Sequence, residues 1–157
     1  MPLGEWRLEQ VYARDANGKE RLIIEGELAA NASEAHQALK KLGMLMAYGW
    51  PEALTDWHYS RGTKNQNRIE QVHSGPLAIY LLKCKPSCWR IYFHVVEEKP
   101  EAIVLRGKVS PRCGTFLILR VVCKKKDKRD PGDLAIAKGR VDDWRAGRLH
   151  RKKLSLP

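Results

Sequence analysis

Three short stretches of this sequence carry cations at their ends in a pattern that suits an anion. They are Leu81-Leu82-Lys83, Cys88-Trp89-Arg90-Ile91-Tyr92-Phe93 and Val121-Val122-Cys123-Lys124-Lys125-Lys126. Each has the composition of a strand, and strand residues two apart point to one face, so cations from neighbouring strand ends can converge on a single phosphate. Arg90 is the best candidate for the grip, because its fork of donors matches two phosphate oxygens. The competing role for Arg90 is a structural ion pair with Glu97 or Glu98. His94 lies four residues further on, on the Arg90 face by alternation, where it could act as acid or base. Lys83 and Lys85 are alternative proton carriers.

Metal chemistry has thinner support. Asp127, Asp130 and Asp133 are the carboxylates crowded near these cations, and the last two fit the start of a helix better than a two-magnesium nest. Cys84 and Cys88 are separated by three residues, and Cys113 and Cys123 by nine, which are not zinc-ribbon spacings. The sequence therefore predicts no metal and no cofactor. With no apolar leader at the start and no apolar run of the roughly 18 to 20 residues that span a bilayer, it also predicts a cytoplasmic protein with reduced thiols and no membrane partner.

The charge is distributed unevenly. Residues 1–73 carry a net −1 and residues 74–119 a net +4, whereas residues 120–153 hold 13 Lys/Arg against 5 Asp/Glu, a net +8. Concentrated positive charge is the footprint of a polyanion-binding surface, since each cation set on a phosphate releases counterions. Arg120, Lys126, Lys128 and Arg129, with Lys85, are the candidate RNA-binding residues beside the central cations. A solvated basic surface is the plainer alternative.

The elements that must position these residues follow from local pattern. At 157 residues the chain suits one domain, taken here as 1–147, with 148–157 a basic C-terminal tail left unordered until an anion binds. Two strand-like runs flank Asn17-Gly18, a hairpin signal. Ser33 can cap a helix whose apolar positions Ala35, Ala38, Leu39, Leu42, Leu45 and Met46 share one face, ending near Gly49 and Pro51. Residues 51–73 predict a loop. Strands are expected over Leu77–Lys83, Cys88–Val96, Ala102–Val109 and Thr115–Cys123, paired antiparallel through Pro- and Ser-rich turns. Asp130 and Pro131 then start a second helix with Leu134, Ala137, Val141 and Trp144 along its seam and Gly147 at its stop.

Taken in order, from Leu81-Leu82-Lys83 through Trp89-Arg90-Ile91-Tyr92-Phe93 and Val121 to Pro131, then Ala135-Ile136-Ala137-Lys138-Gly139-Arg140-Val141-Asp142-Asp143-Trp144, the sequence resembles the phage-related, HigB-like branch of the RelE/ParE toxin superfamily. The likeness covers about residues 77–144. It implies an α+β fold, an antiparallel twisted sheet of about four or more strands with two packed helices and an open face that binds mRNA. It implies a toxin of a type II toxin-antitoxin pair, an endoribonuclease cutting mRNA on the ribosome and silenced by a cognate antitoxin, a small helix-turn-helix protein. Carried onto matching positions, Lys83, Arg90, Lys124 and Lys125 surround the scissile phosphate; no tyrosine or histidine falls at the family's C-terminal catalytic position. Attack by the substrate's own 2′-hydroxyl without metal is the mechanism that fits. The chain between Phe93 and Val121 is longer than the family's usual link, which predicts an added strand or hairpin from Arg106 to Phe116. A non-catalytic RNA- or ribosome-binding module, and a toxin acting on a protein such as gyrase, are the alternatives.

Overall fold

The computed structural model describes residues 6–29, 32–45, 68–83, 88–99, 103–105, 108–110, 113–123 and 131–154. The chain opens with strand β1 (Trp6–Arg14) and a short β2 (Glu20–Leu22), joined at the expected Asn17-Gly18 turn. Gly18 takes φ +79°, which glycine adopts without strain, and the Asp15 carboxylate accepts the Asn17 and Lys19 backbone N–H groups at 2.9 Å each. Two helices follow, α1 (Glu25–Ala29) and α2 (Ala32–Leu45). Then come β3 (Arg68–His73), β4 (Ile79–Lys83) and β5 (Trp89–Lys99). A separate hairpin, β6 (Ile103–Leu105) with β7 (Lys108–Ser110), precedes β8 (Cys113–Cys123), α3 (Pro131–Arg145) and β9 (His150–Lys153).

The main sheet has seven strands in the order β2-β1-β8-β5-β4-β3, with β9 on β1. Its pairs are antiparallel except β1 with β8, which run parallel. Gln10 pairs with both Ile118 and Lys152, and Tyr12 with both Leu22 and His150, so β9 lies across β1 from β8 and β2. The architecture is thus α+β, as expected, with more strands and one more helix among the described residues than the sequence suggested.

Both faces of the sheet centre are covered. Ala35, Ala38, Leu39 and Leu42 of α2 pack with Ile69, Leu82, Ile91, Phe93, Phe116 and Ile118 on one face. Ala137 and Val141 of α3 pack with Ile79, Leu81, Tyr92, Leu117 and Leu119 on the other. Unbroken apolar runs such as Phe116-Leu117-Ile118-Leu119 are what two covered faces require, since a half-solvated strand would alternate. The open RNA-binding face implied by the resemblance is therefore replaced, at the centre of the sheet, by a helix on each side.

Several local expectations change. Residues 68–73 fell within an expected loop but form β3, where buried Ile69 alternates with Glu70 and the outward Gln71. The expected strand Ala102–Val109 divides into β6 and β7, with Leu105 opposite Lys108. Residues 148–154 of the expected tail are held in place. Gly147, at φ +83°, closes α3, with Gly147 N–H donating to the Trp144 carbonyl and Arg148 N–H to that of Asp143. This turn feeds β9 onto β1, where Lys152 meets Glu20 at 2.6 Å and Arg151 meets Glu9 at 3.3 Å.

One interaction ties α1, β8 and α3 together. The β1 ladder on β8 ends at Ile118, which leaves the edge of β8 beyond it without a strand partner from β1. There the Glu27 carboxylate accepts the Val121 N–H at 2.8 Å, and Arg140 donates to the Leu119 carbonyl at 2.7 Å. Glu27 and Arg140 also pair with each other at 2.7 Å, and Arg120 bridges Glu27 and Asp133 at 3.0 and 3.1 Å. Removing one partner from such a half-buried network leaves charges and a backbone donor uncompensated, a loss of about 3 kcal/mol. Glu27→Ala is accordingly expected to lower unfolding free energy by about that much in urea titration. A loss below about 1 kcal/mol would show the edge satisfied by other means.

Candidate functional site

At one end of the sheet the strands bring together two of the cations singled out by sequence. Lys83 stands directly opposite Arg90, and Arg90 opposite Val122, one residue from the end of β8. Alternation places Lys83 and Arg90 on the α3 face, in the row beyond Leu81 and Tyr92. Cys123 closes β8 opposite Trp89, and Lys124 follows it in the chain. Lys85, Lys124, Lys125, Lys126, Lys128 and Arg129 lie outside the described residues.

The two central cations are sheltered, Lys83 being 5% and Arg90 6% exposed. Lys83 Nζ meets Glu70 Oε1 at 3.0 Å, and Arg90 donates to the Trp89 carbonyl at 3.0 Å. A buried ammonium needs such a carboxylate to offset its desolvation. Glu70 is the more open of the ion pair, with a quarter of its side chain exposed. It is the site residue that sequence reasoning missed, because the segment holding it was taken for a loop. The only signal available was the pair of β-branched residues Ile69 and Val72 within the polar run, too weak to mark a strand.

Two predicted residues stand apart. His94 shares the Arg90 face, but it lies four strand positions further on, about 13 Å away. Its Nδ1 lies 2.8 Å from the Ala78 carbonyl, to which it must donate, and its ring packs 5.9 Å from that of Trp144. Burial pushes its pKa below the ordinary histidine value, against the pull of the Ala78 hydrogen bond, and Arg145 lowers it further. His94 is thus a neutral seat for the end of α3 rather than a neighbour of Arg90. Arg120, expected to touch RNA, donates through Nε, Nη1 and Nη2 to Asp133 and Glu27. Two carboxylates within the fold occupy all three nitrogens of its guanidinium.

The thiol expectation is also corrected. Cys88 and Cys123 form a disulfide across the ends of β5 and β8, with Cα atoms 4.8 Å apart. Their sequence separation of 35 residues makes the cross-link worth about 4 kcal/mol in the chain-entropy account. Among the described residues no cluster of His, Cys, Asp and Glu suited to a metal occurs, and no helix is long and apolar enough to cross a membrane.

Comparison with protein-family models, with curated proteins and with solved structures returns no match.

The state of His94 sets a pH dependence. In the unfolded chain a histidine protonates near its ordinary value of 6.5, whereas in the fold His94 resists protonation. The unfolded state therefore binds more protons below about pH 6.5, and stability falls as pH drops toward the lower folded value. The stability difference between about pH 7.5 and 5.5, measured by urea titration, is expected to shrink in His94→Gln. An unchanged difference would assign the acid sensitivity to other groups.

Proposed function

We propose that this protein is an RNA-cleaving toxin of the RelE/HigB type, gripping a phosphate at the sheet end where Glu70, Lys83 and Arg90 align. The observation that carries this reading is the cross-strand pairing of Lys83 with Arg90, with the Glu70 carboxylate bonded to Lys83 on the same face. In this reading the Arg90 guanidinium meets the phosphate oxygens as negative charge grows on them, and Lys83 adds a second fixed cation. Glu70 accepts the proton of the substrate's 2′-hydroxyl, whose oxygen attacks the adjacent phosphorus. The P–O5′ bond breaks as the new bond forms and the departing 5′-oxygen takes a proton from water, so the products are a 2′,3′-cyclic phosphate and a 5′-hydroxyl, and no metal enters the step. The basic run 124–129, tethered to Cys123, supplies further phosphate contacts on mRNA. The proposed partners are mRNA on the ribosome and an antitoxin that silences the site.

A second reading, a non-catalytic RNA- or ribosome-binding module, is favoured by the distance of His94 from Arg90 and by the shelter of both cations. One experiment separates them. Cleavage of ribosome-bound mRNA and binding of single-stranded RNA are measured side by side for wild type, Glu70→Gln and Arg90→Lys. The enzyme reading predicts that Glu70→Gln cuts at least about 100-fold more slowly while binding RNA within a few-fold of wild type. Arg90→Lys, keeping charge but losing the fork, should lose both binding and rate. Full cleavage by Glu70→Gln would remove the general base, and RNA binding without cleavage by wild type would select the module.

Binding should be dominated by phosphates in either case. If about five are neutralised, log K falls with log salt at roughly −0.7 per contact. An affinity indifferent to salt between low and moderate concentrations would contradict a phosphate grip.

A further inference from the structure

We infer that the Cys88–Cys123 disulfide is a redox-sensitive clamp that holds the Arg90 end of β5 against β8 and so sets the grip on RNA; the last clause rests on the function proposed above. The bond joins the residue just before Trp89 to the last residue of β8, at the terminal rung where Trp89 opposes Cys123. Arg90 occupies the next rung, opposite Val122. Beyond that rung the β5–β8 ladder continues through Ile91, Tyr92 and Phe93 to Lys99, backed by two hydrophobic clusters. Breaking the disulfide therefore frees the end of the ladder without dismantling the sheet. Terminal rungs fray at little cost unless something ties them, and here the tie is covalent.

The bond is reachable. Cys123 is exposed and Cys88 is half-buried against the α2-side cluster. A thiolate of a small dithiol attacks the Cys123 sulfur, the S–S bond breaks, and Cys88 leaves as a thiolate that takes up a proton. The second thiol of the reductant then resolves the mixed disulfide, releasing Cys123 as a thiol and the reductant as its own disulfide. Two electrons and two protons pass from the dithiol to the protein, and oxidation reverses the step. The switch acts on Arg90 because its side chain is held by strand position: its guanidinium bonds the carbonyl of Trp89, the residue bound into the clamped rung.

The test is amide hydrogen exchange of the full chain, oxidised and after treatment with dithiothreitol, together with affinity for a single-stranded RNA oligonucleotide. A Cys88→Ser/Cys123→Ser double variant serves as the permanently open form. Reduction should speed exchange at least tenfold at Arg90, Val122 and Cys123, leave Phe93 and Ile118 protected, and weaken RNA binding several-fold. The double variant should match the reduced protein and ignore the reductant. Unchanged exchange at the terminal rungs on reduction would overturn the clamp, as would global loss of protection including Phe93. Faster exchange with equal RNA affinity in both forms would overturn its control of binding. If neither form binds RNA, the proposed function fails, and the exchange data alone decide the clamp.

Discussion

A strand edge that loses its neighbour partway is the constraint on which this fold turns. β1 runs beside β8 only as far as Ile118, and the backbone beyond it still has an N–H and a carbonyl to satisfy. Unpaired buried backbone groups cost as much as the hydrogen bonds they lack, so something must cover that edge. Glu27 takes the Val121 N–H and Arg140 takes the Leu119 carbonyl, and the two side chains close on each other. The five-residue helix α1, too short to be stable alone, is thereby fixed to β8. The same contacts lock α3 over the face formed by Leu81, Tyr92, Leu117 and Leu119.

That lock also decides which cations are available for a ligand. Arg120 and Arg140 sit among Glu27 and Asp133, so part of the excess positive charge of the C-terminal third is spent inside the fold. One row nearer the sheet end Lys83, cross-strand from Arg90, pairs with Glu70, a carboxylate partly open to solvent. A register shift in the β5–β8 ladder between Tyr92 and Phe93 separates the row of Arg90 from the strand region that carries His94. The sheet end and the His94–Trp144 contact are therefore distinct environments, one a cation pair beside a carboxylate, the other a buried imidazole against Trp144 with Arg145 nearby.

Much of this was legible in the sequence. The Asn17-Gly18 hairpin, the α2 face, the strands of β4, β5 and β8, and the span of α3 all follow from local period, capping and turn chemistry. So does the meeting of Lys83 with Arg90, since both end apolar strands joined by a short turn. What was not legible depended on long-range pairing. β3 is short, polar and an edge strand whose two apolar residues, Ile69 and Val72, face opposite sides of the sheet, so no period-2 pattern marks it and Glu70 was lost with it. β9 is four consecutive basic residues with no strand signature, held by its ladder on β1 and by Glu9 and Glu20, which lie far away in sequence. Arg120 looked like an RNA ligand because its carboxylate partners lie 93 and 13 residues distant. The disulfide was missed because it depends on the 4.8 Å approach of two strand ends whose cysteines lie 35 residues apart in sequence.

The central claim is that the Glu70–Lys83–Arg90 row is where an RNA phosphate is held. It is tested most directly by NMR titration of the oxidised protein with a short single-stranded RNA, following the Arg90 guanidinium Nε–H, the Lys83 ammonium and the Glu70 amide. The account predicts saturable shifts at these three groups, weakening as salt rises, while Arg120 Nε–H and the His94 ring remain still. Shifts centred on β9 and the β1–β2 turn, with Arg90 and Lys83 unmoved, would contradict it.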